Sequence, residues 1–259
     1  MPFDKHCEAC VGAKMQAKRH SKEKRKEVRE TALWQRVVVD TMEMGMTSRG
    51  GSEYAIVFVE EFSRMVMVVP VARKSDSHKA LQRVMLEWAL PAGTVMFSDN
   101  GTEFRGKFEE LCTKHSLRHE CSPAYCPQLN GIVERENKEV ANMIRACLIH
   151  AFGVKDNVVC QHSLWAECCR YVEVIRNHSK HSILNDKTPL GVARGLDNDA
   201  VHDMMRRKIP AAFGEGCMAT TQEQIRKRHG RGFQKFVARV VKARFLGWNE
   251  KNSSYRLLV

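Results

Sequence analysis

Two apolar runs lying almost end to end, Glu53–Phe62 (EYAIVFVEEF) and Met65–Ala72 (MVMVVPVA), constrain this chain more than any other feature. Only Ser63 and Arg64 separate them, so they read as the two arms of a hairpin, although the connection lacks the glycine that commonly marks one. Both runs are apolar at nearly every position rather than at alternate ones. With the helices and strands that follow them in the chain, such strands make an α/β layer arrangement. A further run, Trp34–Met44, carries Val37, Val38 and Val39 into Asp40 and reads as a strand ahead of the hairpin.

After the hairpin the periodicity changes. Leu81, Val84, Met85 and Trp88 fall at helical spacing within Ala80–Leu90, and Pro91-Ala92-Gly93 breaks that helix. Thr94–Phe97 predicts a fourth strand running into the turn Ser98-Asp99-Asn100-Gly101. Phe108–His115 predicts a short helix, Leu117–Cys121 a fifth strand, and Ser122–Gly131 a loop rich in Pro, Asn and Gly. From Ile132 onward, Val133, Val140, Met143, Ile144, Cys147, Leu148 and Ala151 recur at three, four and seven, predicting a long amphipathic helix. Another helix is expected over Ser163–His178. Beyond Pro189 the pattern weakens until Val237–Phe245 and Ser254–Val259, which read as strands flanking a Gly-Trp-Asn turn. The expected fold class is α/β: a five-stranded mixed sheet flanked by helices, with a small C-terminal β unit. The expected divisions are 1–30, 31–195 and 196–259.

Composition narrows the setting. An apolar share of 43% is too high for a disordered chain, and no uninterrupted apolar window reaches membrane-spanning length. The N-terminus shows no apolar h-region, so the expected compartment is intracellular and reducing. Ten cysteines there do not imply a disulfide framework; Cys112, Cys121, Cys147, Cys168 and Cys169 read as small buried hydrophobes. Charge is uneven. Residues 1–30 hold nine Lys/Arg against five Asp/Glu, residues 203–259 hold thirteen against four, and the middle is nearly balanced. Basic flanks around a neutral middle fit polyanion binding, and they also fit solubilising surface charge.

Three acids fall at telling places. Asp40 ends the first predicted strand, Asp99 ends the fourth, and Glu134 lies in the first turn of the long helix. Two strand ends and a helix start can converge at one sheet edge. At about 4 Å each carboxylate pair would repel by roughly 4 kcal/mol at an effective dielectric near 20. A cation must neutralise such a trio, or one member must be protonated. Oxygen-only ligands suit Mg²⁺ or Mn²⁺, and a pair of such ions suits in-line attack at a phosphodiester. Chance placement and the preference of helix N-termini for Glu are the alternative.

The words around these acids are more specific than the spacing. Ser98-Asp99-Asn100-Gly101-Thr102-Glu103-Phe104, then His119-Glu120, then Tyr125-Cys126-Pro127-Gln128-Leu129-Asn130-Gly131-Ile132-Val133-Glu134-Arg135 resemble the core of retroelement integrases. Gly50-Gly51-Ser52-Glu53-Tyr54, Ser163-Leu164-Trp165-Ala166-Glu167, Lys187-Thr188-Pro189 and Phe245-Leu246-Gly247-Trp248 resemble the copia-type branch of LTR retrotransposons. The resemblance implies an RNase H-like fold with Asp40, Asp99 and Glu134 as catalytic metal ligands and two Mg²⁺ or Mn²⁺ per site. It implies trimming of element ends and their transfer into target DNA, DNA as partner, a homo-oligomer on that DNA, and work in the nucleus or in a cytoplasmic particle. The chain departs from the branch at Thr41-Met42, where Gly-Pro is usual, at Ala124, where Pro is usual, at Leu129, and by one residue fewer between Phe104 and Phe108. The competing expectation is a catalytically inactive, retrotransposon-derived DNA-binding protein.

Secondary sites follow. Cys7 and Cys10 have the spacing of half a zinc site, but only six residues precede Cys7 and His6 is adjacent to it, so no zinc is expected. Tyr125, Gln128 and Asn130 precede the Glu134 helix and are placed to contact DNA, or serve ordinary turn chemistry. Lys138, one turn after Glu134, fits a phosphate contact or an i, i+4 ion pair. Arg226, Lys227, Arg228 and Arg231 form a basic run that fits phosphate contact, a nuclear-import signal or a solvated loop.

Overall fold

The computed structural model describes residues 32–122, 131–155, 158–159, 161–220, 240–249 and 252–259. The hairpin appears as predicted: strand β2 spans Tyr54–Glu60 and strand β3 spans Val66–Val71, paired antiparallel from Tyr54↔Val71 to Val59↔Val66. A buried carboxylate does the work a glycine would otherwise do at the turn. Glu60 Oε2 accepts from Ser63 N at 2.6 Å and Ser63 Oγ at 2.5 Å, Oε1 accepts from Trp34 N at 3.1 Å, and Arg64 takes the left-handed conformation at φ 61°.

Strand β1 (Arg36–Glu43) pairs antiparallel with β2, and β4 (Val95–Ser98) and β5 (Arg118–Cys121) continue the sheet in parallel. The order is β3-β2-β1-β4-β5, a mixed five-stranded sheet. Period-two alternation divides its side chains between two cores. Val37, Val39, Ile56, Phe58 and Met96 face α1 (Ser77–Trp88) and α2 (Lys107–Lys114), with Leu190 of α5 (Pro189–Arg194) and Val201 of α6 (Asn198–Lys208). Val38, Val57, Val59 and Phe97 face α3 (Gly131–Phe152) and α4 (Trp165–His178), whose Val140, Ile144, Cys168 and Val172 complete that core. Two short paired strands, β6 (Val154–Lys155) and β7 (Val158–Val159), follow α3. The sheet is therefore sandwiched, as strands apolar on both faces require.

The C-terminal unit has three strands: β8 (Gly216–Ala219), β9 (Val241–Asn249) and β10 (Ser254–Leu258), in the order β10-β9-β8. The sequence pattern missed β8. It also put the turn at Gly247-Trp248-Asn249, which β9 in fact runs through; Gly247, at φ 127°, lets the strand continue there. Helices α5 and α6 were missed as well. The first opens on Thr188, whose Oγ1 accepts from Gly191 N, and the second on Asp197, whose side chain accepts from Ala200 N. Each helix is too short or too polar for its apolar face to register as a period. Among the described residues all six cysteines are free, and no helix is long and apolar enough to cross a membrane.

Candidate active site

The site grows from one register. In the parallel β1–β4 pair Arg36 lies opposite Val95, Val37 opposite Met96 and Val38 opposite Phe97. Carried two residues on, that register sets Asp40 level with Asp99 on neighbouring strands, which run roughly 4.8 Å apart. Alternation points both to one face: Asp40 follows Val38, and Asp99 follows Phe97, into the layer that holds α3. Asp40 does not end its strand, as the sequence pattern predicted. β1 continues to Glu43, paired only with β2, because β4 stops at Ser98. The open flank beside Asp40 results from that early stop.

Asp99 is held by a turn. Its Oδ1 accepts from Gly101 N at 2.9 Å, and Asn100 Nδ2 donates to Ser122 O at 2.7 Å, tying the turn to the end of β5. Gly101 is glycine for a steric reason: a Cβ there would stand 2.8 Å from Asp99 Oδ1 and 2.7 Å from Glu103 Oε2. Glu103 thus brings a second carboxylate to the same turn, one that strand and helix spacing does not reveal.

Glu134 is exposed in the first turn of α3. One turn on, Asn137 donates Nδ2–H to Asp40 Oδ2 at 2.8 Å, while Thr41 N donates to Asp40 Oδ1 at 2.8 Å. The i, i+3 relation puts Glu134 on the face that Asn137 turns toward Asp40. Asn137 carries no sequence signal beyond its place one turn after Glu134. Behind this face α3 is anchored by an ion pair. Arg176 on α4 meets Glu136 through Nε–Oε1 at 2.5 Å and Nη2–Oε2 at 2.9 Å.

Electrostatics show that Asp40 feels the other two acids. Burial pushes the Asp40 carboxyl up from 3.8 to about 6, and the charges of Asp99 and Glu134 push the same way, against the hydrogen bonds from Thr41 and Asn137. Asn137 Oδ1 is buried without a hydrogen-bond partner among the described residues. An oxygen-only donor set whose mutual repulsion is unrelieved fits a hard divalent cation in its chemistry. Among the described residues, however, no three His, Cys, Asp or Glu side chains are gathered tightly enough to hold one ion. The structure brings Asp40, Asp99 and Glu134 to one face of one sheet end without closing them to ligand distance.

The other candidates separate from this site. Lys138 is exposed on α3, one turn beyond Glu134. Tyr125, Gln128, Asn130, Arg226, Lys227, Arg228, Arg231, Cys7 and Cys10 lie outside the described residues.

Comparison with known proteins agrees with the fold. Residues 30–127 match the family model of the integrase core domain. The chain is 31% identical over 109 residues to the retrovirus-related Pol polyprotein from transposon TNT 1-94 of Nicotiana tabacum, covering 40% of this chain and 8% of that polyprotein. It is 29% identical over 166 residues to the Gag-Pol polyprotein of Avian reticuloendotheliosis virus, covering 62% of this chain and 14% of that one. The chain therefore spans a small fraction of the curated relatives it matches. Among solved structures, the simian T-cell lymphotropic virus intasome in complex with the PP2A regulatory subunit B56 gamma is similar, at a TM-score of 0.50 and 20% identity, over 64% of this chain and 56% of that one.

Proposed function

We propose, from the premise that residues 30–127 of this chain carry an integrase core domain, that it trims retrotransposon cDNA ends and transfers them into target DNA in the nucleus. One observation carries the reading: Asp99 follows directly on β4, the parallel neighbour of the strand that holds Asp40, and Asp99 and Glu134 both push the Asp40 carboxyl upward. Mutual repulsion at a sheet end serves no packing purpose, and a divalent cation removes it.

In this reading Asp40, Asp99 and Glu134 hold Mg²⁺ or Mn²⁺, two ions per site. Bound there, the cations supply Lewis-acid polarisation of the phosphodiester and lower the pKa of the attacking water or DNA 3′-hydroxyl. The chain's residues do the rest. Asp40 would offer its carboxylate from β1, Asp99 from the turn after β4, and Glu134 from the first turn of α3. Thr41 N and Asn137 Nδ2 hold the Asp40 carboxylate in plane. Transfer is one in-line displacement at phosphorus: the incoming 3′-oxygen forms its bond as the target's own 3′-oxygen leaves, with no covalent enzyme intermediate. Lys138, and the residues at 125, 128, 130, 226–228 and 231, contact DNA in this proposal, and a second copy of the chain serves the second cDNA end. No role for zinc is proposed.

A second reading is a DNA-binding protein without the reaction, which keeps the excess of Lys and Arg over Asp and Glu in residues 203–259 but not the chemistry. Strand transfer of a short duplex into plasmid, run with Mg²⁺ and with Mn²⁺, separates the two. Joined product from the unaltered chain, and none from Asp99→Asn with DNA affinity retained at low salt, is expected. Equal joining by both proteins removes Asp99 from the mechanism, and joining by neither leaves the non-catalytic reading standing.

A further inference from the structure

Behind the acidic face, on the opposite side of the sheet, the last residue of β4 enters a polar network that the reaction chemistry does not explain. Ser98 is fully buried, and alternation turns it away from α3, toward α2. Its Oγ donates to the carbonyl oxygen of Asp99 at 2.7 Å and lies 2.9 Å from His119 Nε2. A hydroxyl has one hydrogen. With that hydrogen on the Asp99 carbonyl, Oγ accepts from His119 Nε2–H, so the contacts run from imidazole to serine to the backbone of Asp99.

The imidazole is itself fixed. Register sets His119 opposite Met96 and Cys121 opposite Ser98, so ring and hydroxyl share one face. Phe108 meets the ring edge-on at 5.3 Å. Glu109 Oε1 lies beyond hydrogen-bond distance, 3.6 Å from Nδ1, and Cys121 Sγ lies 3.8 Å from both Nε2 and Ser98 Oγ. Glu109 is held in turn, its Oε2 accepting from Gly106 N at 3.2 Å at the start of α2. The His119 side chain is only 6% exposed. Ser, His and Glu in this order resemble a nucleophilic triad, but a fully buried hydroxyl already spent on a carbonyl offers no nucleophile.

We propose that His119 is a positioning residue for Asp99, acting through Ser98: the Nε2–H···Oγ–H···O=C chain fixes the peptide from which the Asp99 carboxylate projects. The inference rests on the reading of Asp99 as a metal ligand. Its reason is geometric. β4 ends at Ser98, so the Asp99 carbonyl has no ladder partner on the β1 side, and the Ser98 hydroxyl supplies one. A ligand whose backbone is fixed in advance meets the ion without reorganisation, and loss of such outer support costs on the order of 10- to 100-fold in metal affinity.

Two substitutions separate positioning from packing. His119→Leu keeps apolar bulk against Phe108 and removes the donor. His119→Gln keeps a donor for Ser98 Oγ and loses the ring. Mn²⁺ affinity of the full chain, measured by titration calorimetry without DNA, is the readout, with metal-free thermal unfolding recorded beside it. Expected are about tenfold weaker Mn²⁺ binding for His119→Leu and for Ser98→Ala, retention by His119→Gln, and marked weakening by Asp99→Asn. Asp99→Asn weakening Mn²⁺ binding while His119→Leu and Ser98→Ala bind like the unaltered chain overturns this inference alone. Gln losing affinity while Leu keeps it does the same, because the ring then only fills space. Unchanged binding in Asp99→Asn overturns both this inference and the metal-ligand reading beneath it.

Discussion

Asn137 donates an amide hydrogen to Asp40 Oδ2 at 2.8 Å, so the helix that carries Glu134 is bonded directly to the strand that carries Asp40. Asn137 Oδ1, on the other side of the same amide, is buried without a partner among the described residues. Removing this amide takes a hydrogen bond from a charged acceptor, worth about 1.5–3 kcal/mol. Part of that is returned by the orphan oxygen that disappears with it. Asn137→Ala is therefore expected to destabilise the metal-free chain by about 1 kcal/mol and to lower strand transfer with DNA affinity unchanged. Denaturant unfolding and a gel-based joining assay measure the two effects. Full joining activity in a stably folded Asn137→Ala protein would remove Asn137 from the site.

Asp40 itself predicts a pH dependence. Burial, with Asp99 and Glu134, raises its folded-state pKa from 3.8 to about 6. Between those values the native chain holds a proton that the unfolded chain has released. Asp40 therefore contributes its full stability below about 3.8, and that contribution is lost as pH rises through about 6. Asp40→Asn, which cannot ionise, is expected to unfold at a higher temperature than the unaltered chain at pH 8 in chelator-treated buffer. The gap should close as the pH falls toward 4. Melting curves at several pH values read this directly, and an offset that stays constant across them contradicts the raised carboxyl.

The Glu136–Arg176 pair predicts a larger loss. Both contacts are short, and the side chains are only 8% and 18% exposed. Deleting one partner strands a charge between α3 and α4, at a cost of about 3–5 kcal/mol. Arg176→Ala should lose stability of that order and, because α3 carries Glu134, should lose joining activity too. Replacing both partners, as Glu136→Leu with Arg176→Met, is expected to recover most of the stability. A double mutant as unstable as Arg176→Ala alone would show that the pair does more than neutralise itself.

Much of this was legible in the sequence, and the gaps have physical causes. The hairpin, the long helix and the order of strands and helices follow from apolar runs long enough to reveal their period. Asp40, Asp99 and Glu134 were visible because each stands at a change of periodicity. What escaped was fixed by tertiary pairing. Asp40 looked like a strand end because the apolar run stops there, whereas β1 goes on through Thr41-Met42-Glu43 along β2. Asn137, Glu103 and the Ser98–His119 contact are polar residues whose partners lie on other elements, and no local pattern announces them. α6 buries Val201 alone, too little apolar surface to register as a helical face.

The edge of the sheet supplies a last test. β3 is an outer strand, and Pro70 within it has no N–H to pair, which an edge position tolerates. The bare edge is covered by α4 instead of solvent. Asn177 accepts from Val66 N at 2.8 Å and donates to Val66 O at 2.7 Å, and Glu173 accepts from Val68 N at 3.3 Å. A side-chain amide thus mimics the missing neighbouring strand at one residue and a carboxylate at the next pairing position. An unprotected edge invites another chain to pair with it. Asn177→Ala leaves both Val66 groups buried and unpaired, which should cost about 2–4 kcal/mol and increase aggregation of the heated protein. Asn177→Asp keeps the acceptor and loses the donor, so it should fall between Ala and the unaltered chain. Light scattering during thermal unfolding reads the aggregation, and unchanged scattering from Asn177→Ala would mean that the β3 edge is guarded by something other than α4.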